Sequence, residues 1–393
     1  MTASEIAPPV AATWPTPLAV RWLRLDEFRS YAGLTVEIAE GPVVLTGPNG
    51  AGKTNLLEAL SFLSPGRGLR QAKLGEVARW QGSGAWAVAA HLQTAEGLRE
   101  VGTGLVPAGD GDGRERRAVR IDGAAASGAA ELAAVSGLLW LTPAMDRLFI
   151  EAPSGRRRFL DRLVFGLDPE HARRVSGYEK AMRERSRLLK EGRADPAWLA
   201  VIEDRMAKSG TAIASARRHV AARLSAVSTA SEDPFPKAGI SVAGLLEEWL
   251  DDAPEAMVEA RFRARLGDSR ARDAQAGGAL EGPHRADLAV RHWASGAPAE
   301  QCSTGEQKAL LIAIVLANAK LQAAERGAVP ILLLDEIAAH LDADRRASLF
   351  DRVIELGAQA WITGTDPDLF GELRHRAQFF AIGEGQISEA VAA

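Results

Sequence analysis

Three short stretches carry residues whose types and spacing can do chemistry. Gly47-Pro48-Asn49-Gly50-Ala51-Gly52-Lys53-Thr54 is a full G-x-x-x-x-G-K-[ST] string. It lies between a short apolar run, Pro42–Thr46, and a segment, Thr54–Leu63, whose apolar residues recur at helical spacing. Glycines there let backbone N–H groups curl around phosphate oxygens, and the start of a helix adds partial positive charge. Lys53 is then the catalytic cation that neutralises the β- and γ-phosphates of ATP, and the Thr54 hydroxyl a Mg²⁺ ligand. Downstream, Ile331-Leu-Leu-Leu-Asp335-Glu336 ends an apolar strand in two carboxylates. Asp335 is the expected Mg²⁺ partner, and Glu336 the catalytic base that orients or deprotonates an attacking water. The third stretch, Cys302-Ser303-Thr304-Gly305-Glu306-Gln307-Lys308, leads into an apolar helix; taken alone, Ser303 with Glu306 three residues on is a capping box.

Positioning these residues requires a strand, glycine loop, helix order, and the flanking sequence supplies the rest of an α/β protein. Leu18–Leu25 and Leu34–Ile38 alternate at period two around the turn-prone Ser30–Gly33, which predicts a hairpin. Ala85–Leu92 and Ala118–Ile121 read as strands separated by a Gly/Asp-rich loop at Gly109–Gly113. From Pro153 the texture becomes helical over Ser154–Val164, Pro169–Lys190 and Pro196–Val227, with Asp195-Pro196 a cap followed by a preset first helical position. Strands and helices alternate again from Ala286: Leu288–His292, Glu306–Ala323, Pro330–Asp335, Asp344–Leu356, Ala360–Thr363 and Phe379–Ile382. The expected organisation is a flexible tail over 1–17, an α/β head from 18–150 and 281–393, and a basic, mainly α-helical domain over 151–280.

The chain has 393 residues, 47 Lys+Arg against 51 Asp+Glu, and one cysteine, Cys302. A single cysteine excludes an internal disulfide framework and a cysteine-based zinc site. The Ala- and Pro-rich start has neither the basic onset nor the apolar core of a secretory signal. The longest apolar runs, Ala309–Ala317 and Val329–Leu334, fall far short of the ~20 residues of a membrane span, so a cytoplasmic protein without a membrane partner is expected. A net charge of −4 argues against a bulk nucleic-acid binder. The charge is segregated, however. Residues 151–230 hold 17 Lys+Arg against 10 Asp+Glu, a net of +7 that leaves −11 for the rest. Arg156, Arg157, Arg158, Arg183, Arg185 and Arg187 are the DNA-contact candidates in that segment, with a solvated helix face as the alternative.

In company with the two phosphate motifs, Ser303–Gln307 resembles the signature motif of ABC-type ATPases. The resemblance implies a P-loop ATPase head in which Ser303, Thr304, Gly305, Glu306 and Gln307 face ATP bound by a second copy, so that ATP closes a homodimer. Asp342 falls at that family's D-loop. Thr365 stands where most members carry a switch histidine, which implies slow hydrolysis and a switch-like ATPase. Thr142 and Asp146 lie near the Q-loop position, with no glutamine there.

The whole chain from about Leu18 to Ile387 resembles the bacterial RecF family. The resemblance rests on Leu25-Asp-Glu-Phe28-Arg29-Ser-Tyr31, Leu141-Thr-Pro143, Gly155-Arg-Arg-Arg-Phe-Leu-Asp161, Gly282-Pro-His-Arg-Ala-Asp-Leu288 and Ser303–Lys308. Ala286 departs from the family's usual Asp. Membership implies an ATP-driven homodimer that clamps DNA near single-strand gaps and duplex junctions, acting with RecR and RecO to load RecA in replication, repair and the SOS response. The 258 positions from Gly47 to Gly305 leave no room for the coiled-coil arms of SMC or zinc-hook relatives. Two other classes compete: a nucleotide-switched scaffold without a grip on DNA, and a transporter-type ATPase subunit. Arg29 either meets a nucleotide phosphate or packs in the hairpin.

Overall fold

Period-two alternation builds the first layer. In the computed structural model, which describes residues 17–106, 115–192, 195–383 and 385–390, strand β1 (Ala19–Phe28) pairs with β2 (Tyr31–Glu37) as an antiparallel hairpin. A register shift between Val20 and Trp22 changes the phase, so that Leu23, Leu25 and Phe28 rather than Trp22 enter the core. The residues expected to form the tail, apart from Pro17, and the loop Gly109–Gly113 lie outside the described residues. After β3 (Val43–Thr46) and helix α1 (Lys53–Ser61), strands β4 (Trp86–Thr94), β5 (Gly97–Val106), β6 (Arg116–Ile121) and β7 (Ala124–Ala125) extend the sheet in the order β2-β1-β4-β5-β6-β7. The sequence reading missed β5, whose Gly102 and Gly104 blur the alternation.

Helix α2 (Leu132–Val135) and strand β8 (Leu138–Leu141) precede the helical segment: α3 (Pro153–Phe165), α4 (Glu170–Glu191) and α5 (Pro196–Ala230). The Asp195 carboxylate accepts from Ala197 N at 2.9 Å to cap α5, and Gly192, at φ 65°, ends α4. Then come β9 (Ala238–Ala243), α6 (Leu245–Asp252), α7 (Glu255–Asp268) and α8 (Arg270–Ala276). The chain finishes with β10 (Asp287–His292), α9 (Thr304–Arg326), β11 (Ile331–Leu334), α10 (Ala343–Glu355), β12 (Ala360–Gly364), β13 (Gln378–Gly383) and β14 (Gln386–Glu389).

The second sheet has the order β14-β13-β3-β12-β11-β8 and is parallel except for β14. Strands β3, β8 and β11 read as near-unbroken apolar runs because both faces of the sheet are covered there. One face (Val43, Leu45, Ile331, Leu333, Trp361) packs against α1 and the antiparallel sheet; the other (Val44, Leu332, Leu334, Ile362) packs on α9, α3 and α10.

The segment 151–280 divides between two cores. Phe159, Leu160 and Leu163 of α3, with Val220 and Leu224 of α5, share the core of α9. Tyr178, Ile202, Met206, Ile213 and Phe262 form a separate outer core from α4, the first half of α5 and α7. Strand β9, inside this segment, pairs antiparallel with β10 outside it.

Candidate nucleotide site

Parallel strands bring their carboxyl ends to one edge of a sheet, where α/β proteins place ligands. Here that edge gathers the loops after β3, β11 and β12. Strand β12 lies between the other two, with Thr363 opposite Leu45 and Ile362 opposite Leu334. The sequence thus puts Thr54, Thr363 and Asp335 side by side although they are far apart in the chain.

The glycines of the loop are used for their conformations. Gly47, Gly50 and Gly52 have φ of 148°, 81° and 113°. A Cβ on Gly47 would stand 2.3 Å from Ile382 O, so neither backbone shape nor space admits a side chain. The Tyr31 hydroxyl donates to Gly52 O at 3.0 Å, and Asn55 Nδ2 donates to Ser30 Oγ at 3.0 Å, tying the loop to the first hairpin. Among the described residues, the backbone N–H groups of Gly52, Lys53, Thr54 and Asn55 find no protein acceptor. A run of unsatisfied donors at a helix start is an anion cradle.

Lys53 Nζ donates to Gly47 O at 2.6 Å and Pro48 O at 3.0 Å, holding the ammonium across the loop. Burial lowers its pKa, against the attraction of Glu336 and Asp335. Thr54 Oγ1 lies 3.0 and 3.1 Å from the two Asp335 oxygens, and Thr363 Oγ1 donates to Asp335 Oδ1 at 2.8 Å. Burial raises the Asp335 carboxyl above its ordinary range, although both hydroxyls favour the ionised form. A buried carboxylate touching a hydroxyl is the donor set expected for Mg²⁺, which binds through one or two protein ligands and substrate phosphates rather than an all-protein cage. Asp335 and Thr54 therefore fit the ion. Among the described residues no group of three or more His, Cys, Asp or Glu side chains gathers elsewhere to hold a metal.

Glu336 adopts a left-handed backbone, φ 52°, fixed by a 2.8 Å hydrogen bond from its N–H to Thr363 Oγ1. Its carboxylate accepts no hydrogen bond among the described residues and is available to a water. One threonine thus orients both acids. Thr363 escaped the sequence reading; its signal is a lone hydroxyl in an otherwise closed strand, Ala360–Gly364.

Ser303 caps α9 reciprocally with Glu306: Ser303 N and Oγ donate to Glu306 Oε2 at 2.9 and 2.7 Å, and Glu306 N donates back at 3.3 Å. Thr304 and Gly305 are exposed in the first turn, and Gln307 Nε2 donates to Cys302 O at 2.9 Å. Among the described residues no hydrogen bond or ion pair links Ser303–Gln307 to Gly47–Thr54 of the same chain. Lys308, buried in α9, pairs with Asp146 at 3.3 Å, tying the segment after β8 to the third motif. Asp342 is exposed and caps α10 by accepting from Arg345 N at 2.8 Å. Thr365 is exposed at the end of β12.

Arg29 packs within the fold. It reaches the fully buried Glu58 of α1 through Nε and Nη2 at 2.9 and 2.7 Å, and Arg70 joins the same carboxylate at 2.8 Å.

Of the six DNA-contact candidates, Arg185 is corrected by its burial, and Arg156 and Arg157 are half-buried and engaged within the fold. Arg185 is 1% exposed and joins Glu203 (2.9 Å), Asp273 (2.6 Å) and Leu266 O (2.6 Å). Arg156 pairs bidentately with Asp287, both contacts 2.7 Å, and Arg157 donates to Ala286 O at 2.8 Å. Their charges are spent joining α3 and α4 to the rest of the fold, which arginine-rich composition does not reveal. Arg158, Arg183 and Arg187 remain exposed, the last two in i,i+4 pairs with Glu179 and Glu191. The strings Gly155–Asp161 and Gly282–Leu288 therefore dock on each other. Asp161, bound by Arg217 at 2.8 Å through both oxygens and by His171 at 2.8 Å, completes the joint, with Arg217 also reaching Pro283 O at 2.6 Å.

Fold and site together define a P-loop ATPase head of the ABC and SMC kind with an inserted, mainly helical segment. Residues 19–385 match the family model RecF/RecN/SMC N terminal domain. "DNA replication and repair protein RecF" of Mesorhizobium japonicum is 51% identical over 375 residues, covering 95% of this chain and 98% of that relative. The protein of the same name from Rhizobium meliloti is 51% identical over 368 residues, covering 93% and 97%. The chain belongs to the RecF family of DNA replication and repair proteins. In fold it is similar to the solved recombination mediator protein RecF with ATP in the RecFOR pathway, at TM-score 0.80 and 22% identity over 96% of this chain and 99% of that one. It is also similar to an Smc head domain of Pyrococcus furiosus, at TM-score 0.52 and 15% identity over 95% and 96%. Among the described residues no helix is long and apolar enough to cross a membrane.

Proposed function

We propose that this protein is an ATP-gated DNA clamp of recombinational repair. ATP binds at Gly47–Thr54, a second copy contributes Ser303–Gln307 and Asp342 to the same nucleotide, and the closed homodimer holds DNA near single-strand gaps and duplex junctions. The observation that carries this reading is the cradle of unpaired N–H groups beside the Thr54–Asp335–Thr363–Glu336 cluster. When bound between Thr54 and Asp335, Mg²⁺ supplies neutralisation of the charge that develops on the phosphates. Lys53 contributes a second positive charge, and Glu336 orients and takes a proton from the attacking water. Hydrolysis is slow, with Thr365 where a histidine would sense the γ-phosphate, and it serves to open the clamp. Of the six candidate arginines, exposed Arg158, Arg183 and Arg187 remain for phosphate contact. RecR and RecO as partners in loading RecA rest on family membership and on the pathway named for the solved relative.

The test is ATP-dependent dimerisation and DNA binding by the parental chain and by Lys53→Arg and Ser303→Arg. Loss of both properties in each variant supports the clamp; normal binding and dimerisation by both variants overturns it. A scaffold that switches protein contacts without gripping DNA is the second reading, favoured by the inward commitment of Arg156, Arg157 and Arg185. Titrating salt against gapped DNA separates the two: a clamp loses affinity steeply as salt rises, and a scaffold shows no such slope.

A further inference from the structure

Away from the nucleotide edge, α4 and α5 do not close on each other along their whole length. They leave a cleft of about 520 Å³. Its apolar lining comes from Gly177 and Ala181 of α4 with Ile202 and Ala212 of α5. Packing does not demand the glycine: a Cβ at Gly177 would meet nothing within 4 Å. The space above Gly177 is therefore open, and a larger side chain placed there would enter the cleft.

The rim is cationic. Arg173 and Arg174 are answered by Glu170 and Asp168. Lys180, Arg205 and Lys208 are exposed and have no ion-pair partner among the described residues. Glu184 is the single acid in the lining. Along α5, Trp198, Val201, Ile202, Arg205 and Lys208 follow i, i+3, i+4, i+7, i+10 spacing and share one helix face. Trp198 and Val201 are 45% and 43% exposed, which prolongs the apolar floor beyond the cleft.

We propose that this cleft docks an acidic amphipathic segment of a protein partner, with apolar side chains on the floor and carboxylates against Lys180, Arg205 and Lys208. The apolar floor decides between partner classes. A phosphate backbone needs positive charge but gains nothing from Ala181, Ile202 and Ala212, whereas an amphipathic helix reads both the groove and its rim. Exposed Trp198 adds the kind of aromatic anchor on which protein interfaces concentrate their energy.

The probe is a fluorescein-labelled peptide of about 16 residues, ~24 Å as a helix, carrying Glu at exposed positions and Leu or Phe at i, i+4. Its anisotropy is measured with the full chain and ATP, beside the same peptide with Gln for every Glu, oligo-dT and a DNA duplex. The variants are Gly177→Trp, which plugs the cleft without changing charge, and the triple reversal Lys180→Glu, Arg205→Glu, Lys208→Glu. Circular dichroism and ATP turnover confirm that each is folded. Docking predicts saturable binding, weakened at least about tenfold by either variant and by Gln for Glu, with DNA affinity unchanged by Gly177→Trp. The proposal is overturned by an absence of saturable peptide binding, or by full affinity in Gly177→Trp. It is equally overturned if oligo-dT or duplex displaces the peptide and is lost in parallel with it, which would make the cleft a nucleic-acid groove.

Discussion

Replacing Thr363 by valine removes one oxygen and keeps the volume, and two hydrogen bonds depend on that oxygen. Thr363 is fully buried; its hydroxyl donates to Asp335 Oδ1 at 2.8 Å and accepts from Glu336 N at 2.8 Å. A hydrogen bond to an ionised carboxylate contributes about 1.5–3 kcal/mol, and an orphaned N–H adds about 1–3 kcal/mol. Thr54 still satisfies Asp335 in part, so about 2–4 kcal/mol is expected to be lost in urea unfolding without nucleotide. The same substitution removes a bond that favours ionised Asp335, so its carboxyl rises further and holds a cation less well. Mg²⁺-dependent ATP binding should therefore weaken beyond what the loss of stability explains, while Thr363→Ser restores both. Unfolding within about 0.5 kcal/mol of the parental chain, the range of a neutral surface change, together with unchanged Mg²⁺ dependence, would refute this role for Thr363.

Four further outcomes follow. Glu336→Gln keeps the carbonyl oxygen but not the base, so ATP binding persists, phosphate release stops and the dimer accumulates in gel filtration; parental turnover would remove Glu336 from the chemistry. Gly47→Ala puts a Cβ 2.3 Å from Ile382 O at φ 148° and should abolish ATP binding measured by fluorescent-analogue titration. Arg185→Ala strands Asp273, and Glu203 in part, inside the protein and should cost about 3–5 kcal/mol by urea denaturation, whereas exposed Arg187→Ala should stay within about 0.5 kcal/mol. Burial alone would raise the Asp161 carboxyl, but the Arg217 charge and the hydrogen bonds of His171 and Arg217 carry it well below the ordinary range. The unfolded chain takes up that proton first, so stability contributed by Asp161 is present above about pH 4 and lost as the pH falls toward the depressed folded value. Asp161→Asn should lower neutral-pH stability and flatten that acid limb in thermal melts.

What was legible in the sequence follows local physics. The glycine string, the apolar strand ending in Asp335-Glu336 and the Ser303/Glu306 cap are each determined within a few residues, and each stands where the pattern places it. Strand β5 was missed because glycines weaken period two, and β9 because six residues between the long helix α5 and the short helix α6 carry little signal of their own. Thr363 was invisible for a different reason: only the crossover that sets β12 between β3 and β11 brings it to both acids. Composition misled most over the arginines. A local excess of positive charge says how many cations a segment holds, not which face inward; Arg185 and Arg187 are two residues apart and have opposite fates.

Helix α5 belongs to both cores, and that makes it a lever. Its fulcrum is the Val220–Leu224 contact with α9, the helix capped by Ser303, and its outer arm, packed against α4 and α7, runs to Trp198. At 1.5 Å per residue the arm is about 36 Å long, so a tilt of about 5° at the fulcrum moves the outer end by about 3 Å. If ATP held by a second copy rocked α9 at its first turn, the same geometry would magnify that tilt at the outer end of α5, and a partner seated in the α4/α5 cleft would act back on α9 through the same rod.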